Sequence, residues 1–235
     1  VNALKMKNVI LTNTPNAIRT PVAVATLTMI LALSSKIFAK ENLLRRGEWN
    51  SRTDFMGIGL SQKTLGVIGC GNIGKEFIKI SKHLFKNVIS FDPNVSMETM
   101  LELGVKKVDF YQLANDSDFV SILCDLNNST KGLIDIKFLN HMKKSSILVN
   151  LSRGPVINEK DLINCLKNNK IYGVGLDVMD VEPIKRDNEL MNFENVILTP
   201  HSLCWTEECF DSIATEAISS IINFYKKEPI KNKVY

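Results

Sequence analysis

The sequence holds only three histidines, no Cys-x-x-Cys pair and no apolar run as long as a membrane span. Its longest uncharged stretch, residues 20–35, falls short of the ~20 residues that a spanning helix needs and reads as a buried helix with no role at a membrane. Five cysteines, an odd number without framework spacing, argue against a disulfide scaffold and for reduced thiols in a cytoplasmic protein. His201, Cys204 and Cys209 lie near one another, but structural zinc takes four ligands and no fourth is evident, so no metal is expected. Excess charge is also missing. The net charge is +4 with Lys and Arg scattered, and the one basic cluster (Lys226, Lys227, Lys231, Lys233) reads as a solvated tail rather than a nucleic-acid contact. No internal repeat is evident. A chain of 235 residues, 45% apolar and 23% charged, is left as an ordinary globular protein of one large domain or two small ones.

What is present is organised around Thr64-Leu-Gly-Val-Ile-Gly-Cys-Gly-Asn-Ile-Gly74, an apolar run closed by a glycine-rich turn. Gly69, Gly71 and Gly74 have the G-x-G-x-x-G spacing of a dinucleotide site: one glycine for the tight turn, one for backbone approach to pyrophosphate, one for helix–strand packing. The amino end of the next helix, with Asn72 and Ile73 in its first turn, offers free N–H groups and a positive dipole end to phosphate. A second apolar run ends in Asp92, 18 positions after Gly74 and followed by Pro93, where a ribose-binding carboxylate belongs. That acid would repel a ribose 2′-phosphate, so the expected cofactor is NAD rather than NADP.

From Leu65 on, strand-like and helical runs alternate. Strands are predicted at 65–69, 87–92, 105–109, 119–124, 146–151, 171–178 and 195–199, with helices at 72–85, 96–103, 135–143, 159–169 and 206–226. The pattern predicts an α/β fold, a Rossmann-type doubly wound parallel sheet whose ligands sit at the carboxyl ends of the strands. Ahead of it, 9–13 reads as a short strand, 21–46 as one long apolar helix and 48–59 as a loop. Cys70, Cys124 and Cys165 fall in apolar stretches and read as core. Chemistry-bearing residues follow strands as they should. Arg153 stands after 146–151, where a guanidinium can hold a carboxylate bidentately. Asp177, Asp180 and Glu182 stand at or just beyond the end of 171–178, and His201 after 195–199. An imidazole paired with a carboxylate can deliver a proton to a developing alkoxide.

These blocks, with Cys124-Asp-Leu-Asn-Asn-Ser-Thr-Lys-Gly-Leu-Ile134, Val156-Ile-Asn-Glu159 and Thr199-Pro-His201, resemble the D-isomer-specific 2-hydroxyacid dehydrogenases in family order along nearly the whole chain. The resemblance implies an NAD-dependent oxidoreductase moving a hydride between nicotinamide and C2 of a 2-keto or D-2-hydroxy acid. Arg153 would hold the carboxylate and keto oxygen, His201 would be the acid/base, and Glu182 would tune it. Asp177 is expected near the nicotinamide carboxamide, and Thr130 with the backbone around Cys124, Leu126, Leu151 and Ser152 along the cofactor groove. It further implies a homodimer through helix 21–46, an NAD-binding domain over 12–204, and remnants of a flavodoxin-like substrate domain in 1–11 and 205–235. The chain opens on Val1 and reads as beginning in mid-fold, the bulk of that second domain preceding it.

The sequence also departs from the family pattern. Asp125-Leu-Asn-Asn replaces the usual Pro-Leu-Thr-Pro, placing a carboxylate beside the cofactor, and Ser202-Leu-Cys-Trp-Thr206 replaces a small pair after the histidine. Trp205 or Leu203 is expected either to shape the substrate pocket or, for Trp205, to sit in the core. The competing functional reading is an NADH-binding sensor or corepressor-like module without turnover.

Overall fold

The computed structural model describes all residues, Val1–Tyr235. Seven parallel strands form one sheet: β1 (Thr64–Ile68), β2 (Asn87–Phe91), β3 (Lys106–Lys107), β4 (Phe119–Ile122), β5 (Ile147–Asn150), β6 (Gly173–Leu176) and β7 (Val196–Leu198). Their order is β3-β2-β1-β4-β5-β6-β7. The helices are α1 (Asn2–Met6), α2 (Arg19–Ser35), α3 (Ile37–Arg45), α4 (Asn72–Ser81), α5 (Met97–Glu102), α6 (Phe110–Asp116), α7 (Ile136–His141), α8 (Glu159–Lys167) and α9 (Glu207–Lys226). Apolar side chains of α2, α4 and α5 (Met29, Ile30, Phe77, Ile78, Met100) bury one face of the sheet. Those of α6, α7 and α8 (Leu113, Phe138, Leu139, Leu162, Leu166) bury the other. Strands buried on both faces explain the near-continuous apolar runs. The chain leaves β1 toward β2 and β3, then returns across to β4. The carboxyl ends of β1 and β4 therefore flank the switch point at which such sheets bind ligands.

The doubly wound architecture is as expected; several elements are not. The long helix 21–46 is two helices, α2 and α3, bent by 55° at Lys36, which adopts φ 54° and ψ 40°. The cause is local. The Ser34 carbonyl accepts from the Ile58 amide at 2.7 Å, while Ser34 and Ser35 hydroxyls fold back onto the Leu31 carbonyl, so the helical ladder is diverted. No single helix is long and apolar enough to cross a membrane; the bent α2–α3 pair passes by length and composition, but α2 packs into the core. No strand forms over 9–13: its one pairing is an isolated antiparallel bridge from Thr12 to Lys233, too short to make a ladder. Helix α6, unforeseen, begins where the Asp109 carboxylate accepts the Gln112 amide at 2.8 Å. The loop 48–59 contains a 3-10 segment, Trp49–Phe55. Strand β4 ends at Ile122, so Cys124 belongs to the crevice and is only partly buried.

Candidate functional site

The glycine turn is built by contact as much as by torsion. Gly69 has φ +95°, and a Cβ on it would lie 2.6 Å from the Cys124 amide, so the turn after β1 presses on the segment after β4. A Cβ on Gly74 would meet the Gly69 carbonyl at 2.1 Å, fixing α4 against the turn. Gly71, at the cap of α4, has open space on its Cβ side, and no side chain caps the helix. Its first-turn N–H groups, from Asn72, Ile73 and Gly74, thus remain for an anion, which is what a pyrophosphate requires. Asp92 closes this end of the groove: one carboxylate oxygen accepts the Cys70 amide at 2.8 Å and the other the Asn94 amide at 2.8 Å. The turn and the acid that follows β2 are therefore one hydrogen-bonded unit. The Cys124 thiol is pushed up to about 11, first by burial and then by the negative charges of Asp125 and Asp92.

Further along the same edge, Asn150 ends β5 fully buried and organises the Arg153 loop. Its carboxamide oxygen accepts from the Ser152 amide and hydroxyl, each at 2.9 Å, and its NH2 donates to the Arg153 carbonyl at 3.0 Å. Gly154 is packed so closely that a Cβ would fall 1.8 Å from the Met179 carbonyl, which draws the Arg153 loop against the segment carrying Glu182. Glu182 spans the gap. One oxygen accepts from the Met179 amide at 2.9 Å, and the other contacts His201 Nδ1 at 2.8 Å. Burial opposes ionisation of Glu182, but the hydrogen bonds from His201 and Met179, with the charges of His201 and Arg153, outweigh it and hold its carboxyl below the usual value.

His201 itself sits in the left-handed region at φ 54°, a conformation that a non-glycine residue adopts only when its surroundings enforce it. Asp177, 3% exposed, does the enforcing. Its Oδ1 accepts from the Thr199 hydroxyl at 2.6 Å, the Ser202 amide at 3.1 Å and the Leu203 amide at 3.2 Å, clamping the chain on both sides of the histidine. Sequence reasoning did not assign this clamp, nor the Asn150 brace. A polar residue at the last buried position of a parallel strand is the available signal.

A cavity of about 580 Å³ joins these parts. Among the expected residues, Ile73, Cys124, Leu126, Leu151, Ser152, Arg153, Asp177 and His201 line it. Gly69, Gly71 and Asp92 form the adjoining turn, with Pro93 beyond it. The Thr130 hydroxyl is spent inside its own loop, donating to the Asp125 carbonyl at 2.6 Å and accepting the Asn127 amide at 2.8 Å. Trp205 is not a core residue: it is 62% exposed, lines the cavity and meets Phe210 edge-on at 5.4 Å. Leu203 packs on the buried cluster instead. A second depression, about 710 Å³, lies at the amino ends of β1 and β2. Its Lys82 and Lys143 donate to the carbonyls of Leu103 and Asp116, completing the ends of α5 and α6.

Fold, glycine turn and Asp92 together define a dinucleotide-binding α/β domain carrying an Arg–Glu–His cluster on its ligand edge. The chain belongs to the family described as D-isomer specific 2-hydroxyacid dehydrogenase, NAD binding domain, whose model matches residues 27–202, and NAD is its cofactor. It is 38% identical over 235 residues to a D-3-phosphoglycerate dehydrogenase of Methanocaldococcus jannaschii, covering 100% of this chain and 44% of that protein. Against a glyoxylate reductase of Thermococcus litoralis it is 34% identical over 234 residues, covering 97% of this chain and 70% of the relative. Among solved structures, the D-mandelate dehydrogenase of Rhodotorula graminis superposes with a TM-score of 0.89 at 29% identity, covering 100% of this chain and 70% of that one. The chain thus spans about half the length of the phosphoglycerate dehydrogenases it matches.

Proposed function

We propose that this chain is the catalytic NAD-binding part of an oxidoreductase that interconverts a 2-keto acid and its D-2-hydroxy acid. The observation that carries the reading is the His201–Glu182 pair at 2.8 Å, sharing one cavity edge with Arg153 beside the glycine turn. Bound at the turn, the nicotinamide cofactor supplies or takes up the hydride at C2. Arg153 binds the substrate carboxylate and polarises the keto oxygen, so its charge faces the position where negative charge develops. His201 donates the proton that turns that oxygen into a hydroxyl, and removes it in the reverse direction. Glu182 stays ionised and holds the imidazole ring in place. Asp177 keeps the histidine loop in register with the cavity and supplies an acceptor near the carboxamide position.

In the same reading, residues 12–204 form the cofactor domain, while 1–11 and 205–235 belong to a substrate domain. In support, the two ends bind each other: the Val234 amide donates to the Leu11 carbonyl at 2.8 Å and the Tyr235 hydroxyl to the Val9 carbonyl. A two-fold homodimer through α2 and α3 accounts for the exposure of Val24, Leu31, Ile37, Phe38 and Leu44 on consecutive helices. The protein works in the cytoplasm on small acids, without nucleic-acid or membrane partners.

The test is NADH oxidation by the protein made from its complete reading frame, against a panel of 2-keto acids, with Arg153→Ala beside it. Turnover is expected from the wild type and none from the variant, while NADH binding, followed by cofactor fluorescence, survives in both. Activity of the variant within about twofold of wild type would remove Arg153 from its role.

A further inference from the structure

The amino end of α9 brings two of the five cysteines together. Thr206 caps the helix, its hydroxyl accepting the Cys209 amide at 3.1 Å. Trp205, just ahead of the cap, meets Phe210 edge-on at 5.4 Å, a hydrophobic staple that fixes the angle at which the chain enters the helix. Cys204, one residue further back, is thereby turned toward the first turn, where Cys209 is buried at 1% exposure. Both side chains line the cavity that holds Arg153 and His201. Burial, the Cys209 thiol and the Asp177 carboxylate push the Cys204 thiol above its ordinary value, and Cys209 is also its side-chain hydrogen-bond partner. Cys70, Cys124 and Cys165 have no second thiol among the groups that act on them.

From this we infer that Cys204 and Cys209 are a redox modification site: a peroxide joins them in a reversible intramolecular disulfide that displaces the His201 loop. Cys204, partly exposed where Cys209 is not, meets the oxidant first. Its thiolate attacks one peroxide oxygen, the O–O bond breaks, and a sulfenic acid and one water result. The Cys209 sulfur then attacks that sulfur, the S–O bond breaks, and the oxygen leaves as a second water. The two thiols have together given up two electrons and two protons, which the peroxide has taken up. Because the thiolate is the nucleophile, the raised Cys204 thiol makes the first step slow at neutral pH and faster as pH rises. A thiol reductant reverses the bond by exchange.

The consequence for the site follows from what can move. Closing the bond brings the two sulfurs to about 2 Å from the wider separation of unbonded thiols. Cys209 is held in the first turn of the 20-residue α9, whereas Cys204 lies in a turn, so Cys204 makes the movement. The residues before it are Leu203 and Ser202, whose amides Asp177 holds at 3.2 and 3.1 Å. The displacement is thus passed to the segment that keeps His201 at φ 54°. The disulfide needs only the two thiols; its effect on turnover rests on the hydride-transfer reading above.

The experiment treats the protein from its complete reading frame with hydrogen peroxide at about pH 8, then with iodoacetamide and trypsin. Both cysteines fall in one tryptic peptide, residues 187–226, which contains no other. After peroxide that peptide should be lighter by two hydrogens and take up no iodoacetamide, and dithiothreitol should restore both alkylation sites. Hydrogen exchange at the Ser202 and Leu203 amides should accelerate about tenfold in the oxidised protein. NADH turnover should fall about tenfold and recover with dithiothreitol. Cys204→Ser, a change at a partly exposed side chain, should hold its turnover within about twofold through the same treatment. Two free alkylation sites after peroxide, or a sulfinic or sulfonic acid with no internal disulfide, would overturn the inference. So would unchanged exchange at Ser202 and Leu203 in the disulfide form, or equal loss of turnover in Cys204→Ser. Absence of turnover before any treatment would remove the hydride-transfer reading alone, since mass and exchange still decide the disulfide.

Discussion

The clamp at Asp177 gives a test whose size follows from geometry. In Asp177→Ala the acceptor for the Ser202 and Leu203 amides and the Thr199 hydroxyl disappears from a site that is 3% exposed. The hydroxyl can rotate to another acceptor, but the amides are fixed by the left-handed turn at His201. An unsatisfied buried donor costs ~1–3 kcal/mol, so two cost ~2–6 kcal/mol, and water entering the vacated space recovers part of that. A net loss of about 3 kcal/mol is expected. For a chain of this size each kcal/mol lowers the melting temperature by ~2–4 °C, which gives a fall of about 6–12 °C. Asp177→Asn retains one carbonyl oxygen for the two amides and should cost only about 1 kcal/mol. Thermal unfolding followed by circular dichroism reads both numbers, and hydrogen exchange localises the change. Exchange at Ser202 and Leu203 should accelerate in the alanine variant well before exchange in Gly173–Leu176 does. If alanine melts within about 2 °C of wild type, or alanine and asparagine cost the same, the carboxylate is not what holds the histidine loop.

Gly154→Ala puts a methyl 1.8 Å from a backbone carbonyl that has no rotamer to yield, so the Arg153 loop must shift away from Glu182. Overpacking of this kind costs ~1–3 kcal/mol, and a melting temperature unchanged from wild type would refute the close approach. Cys124, its thiol pushed up to about 11, should react with iodoacetamide at pH 8 on the order of a hundredfold more slowly than a free cysteine, as peptide mass spectrometry can measure. Burial opposes ionisation of Asp118, yet the Thr64 amide and the charges of Lys143 and Lys63 prevail and lower its pKa. A depressed carboxyl contributes its stability above the ordinary carboxylate range and loses it as pH falls through the folded value. Melting temperature plotted from pH 6 to pH 3 should therefore fall less steeply in Asp118→Asn, and parallel curves would exclude Asp118 as a source of acid lability.

Legibility differed from element to element for identifiable reasons. The glycine turn was readable because its spacing is a local demand: Gly69 must take a positive φ and Gly74 must let a helix touch a strand. Parallel strands β1, β4, β5 and β6 were readable because burial on both faces leaves uninterrupted apolar runs. Helix α6 was missed because its signal is a single capping aspartate ahead of a short segment. The break between α2 and α3 was invisible because it depends on the Ile58 amide, 24 residues beyond the Ser34 carbonyl that it captures. Trp205 looked equally at home in a core, since composition does not say whether the turn ahead of α9 points inward or to solvent.

The class of fold and the identity of the groups that follow each strand were legible in the sequence alone. Each of these depends on residues within one turn or one strand of each other. What the folded chain adds is that Glu182 meets His201, that Asp177 serves the histidine loop, and that Gly154 draws the Arg153 loop against Met179. Those are contacts between the ends of different strands. What sets them is the order in which β4, β5, β6 and β7 lie side by side, and no local propensity encodes that order.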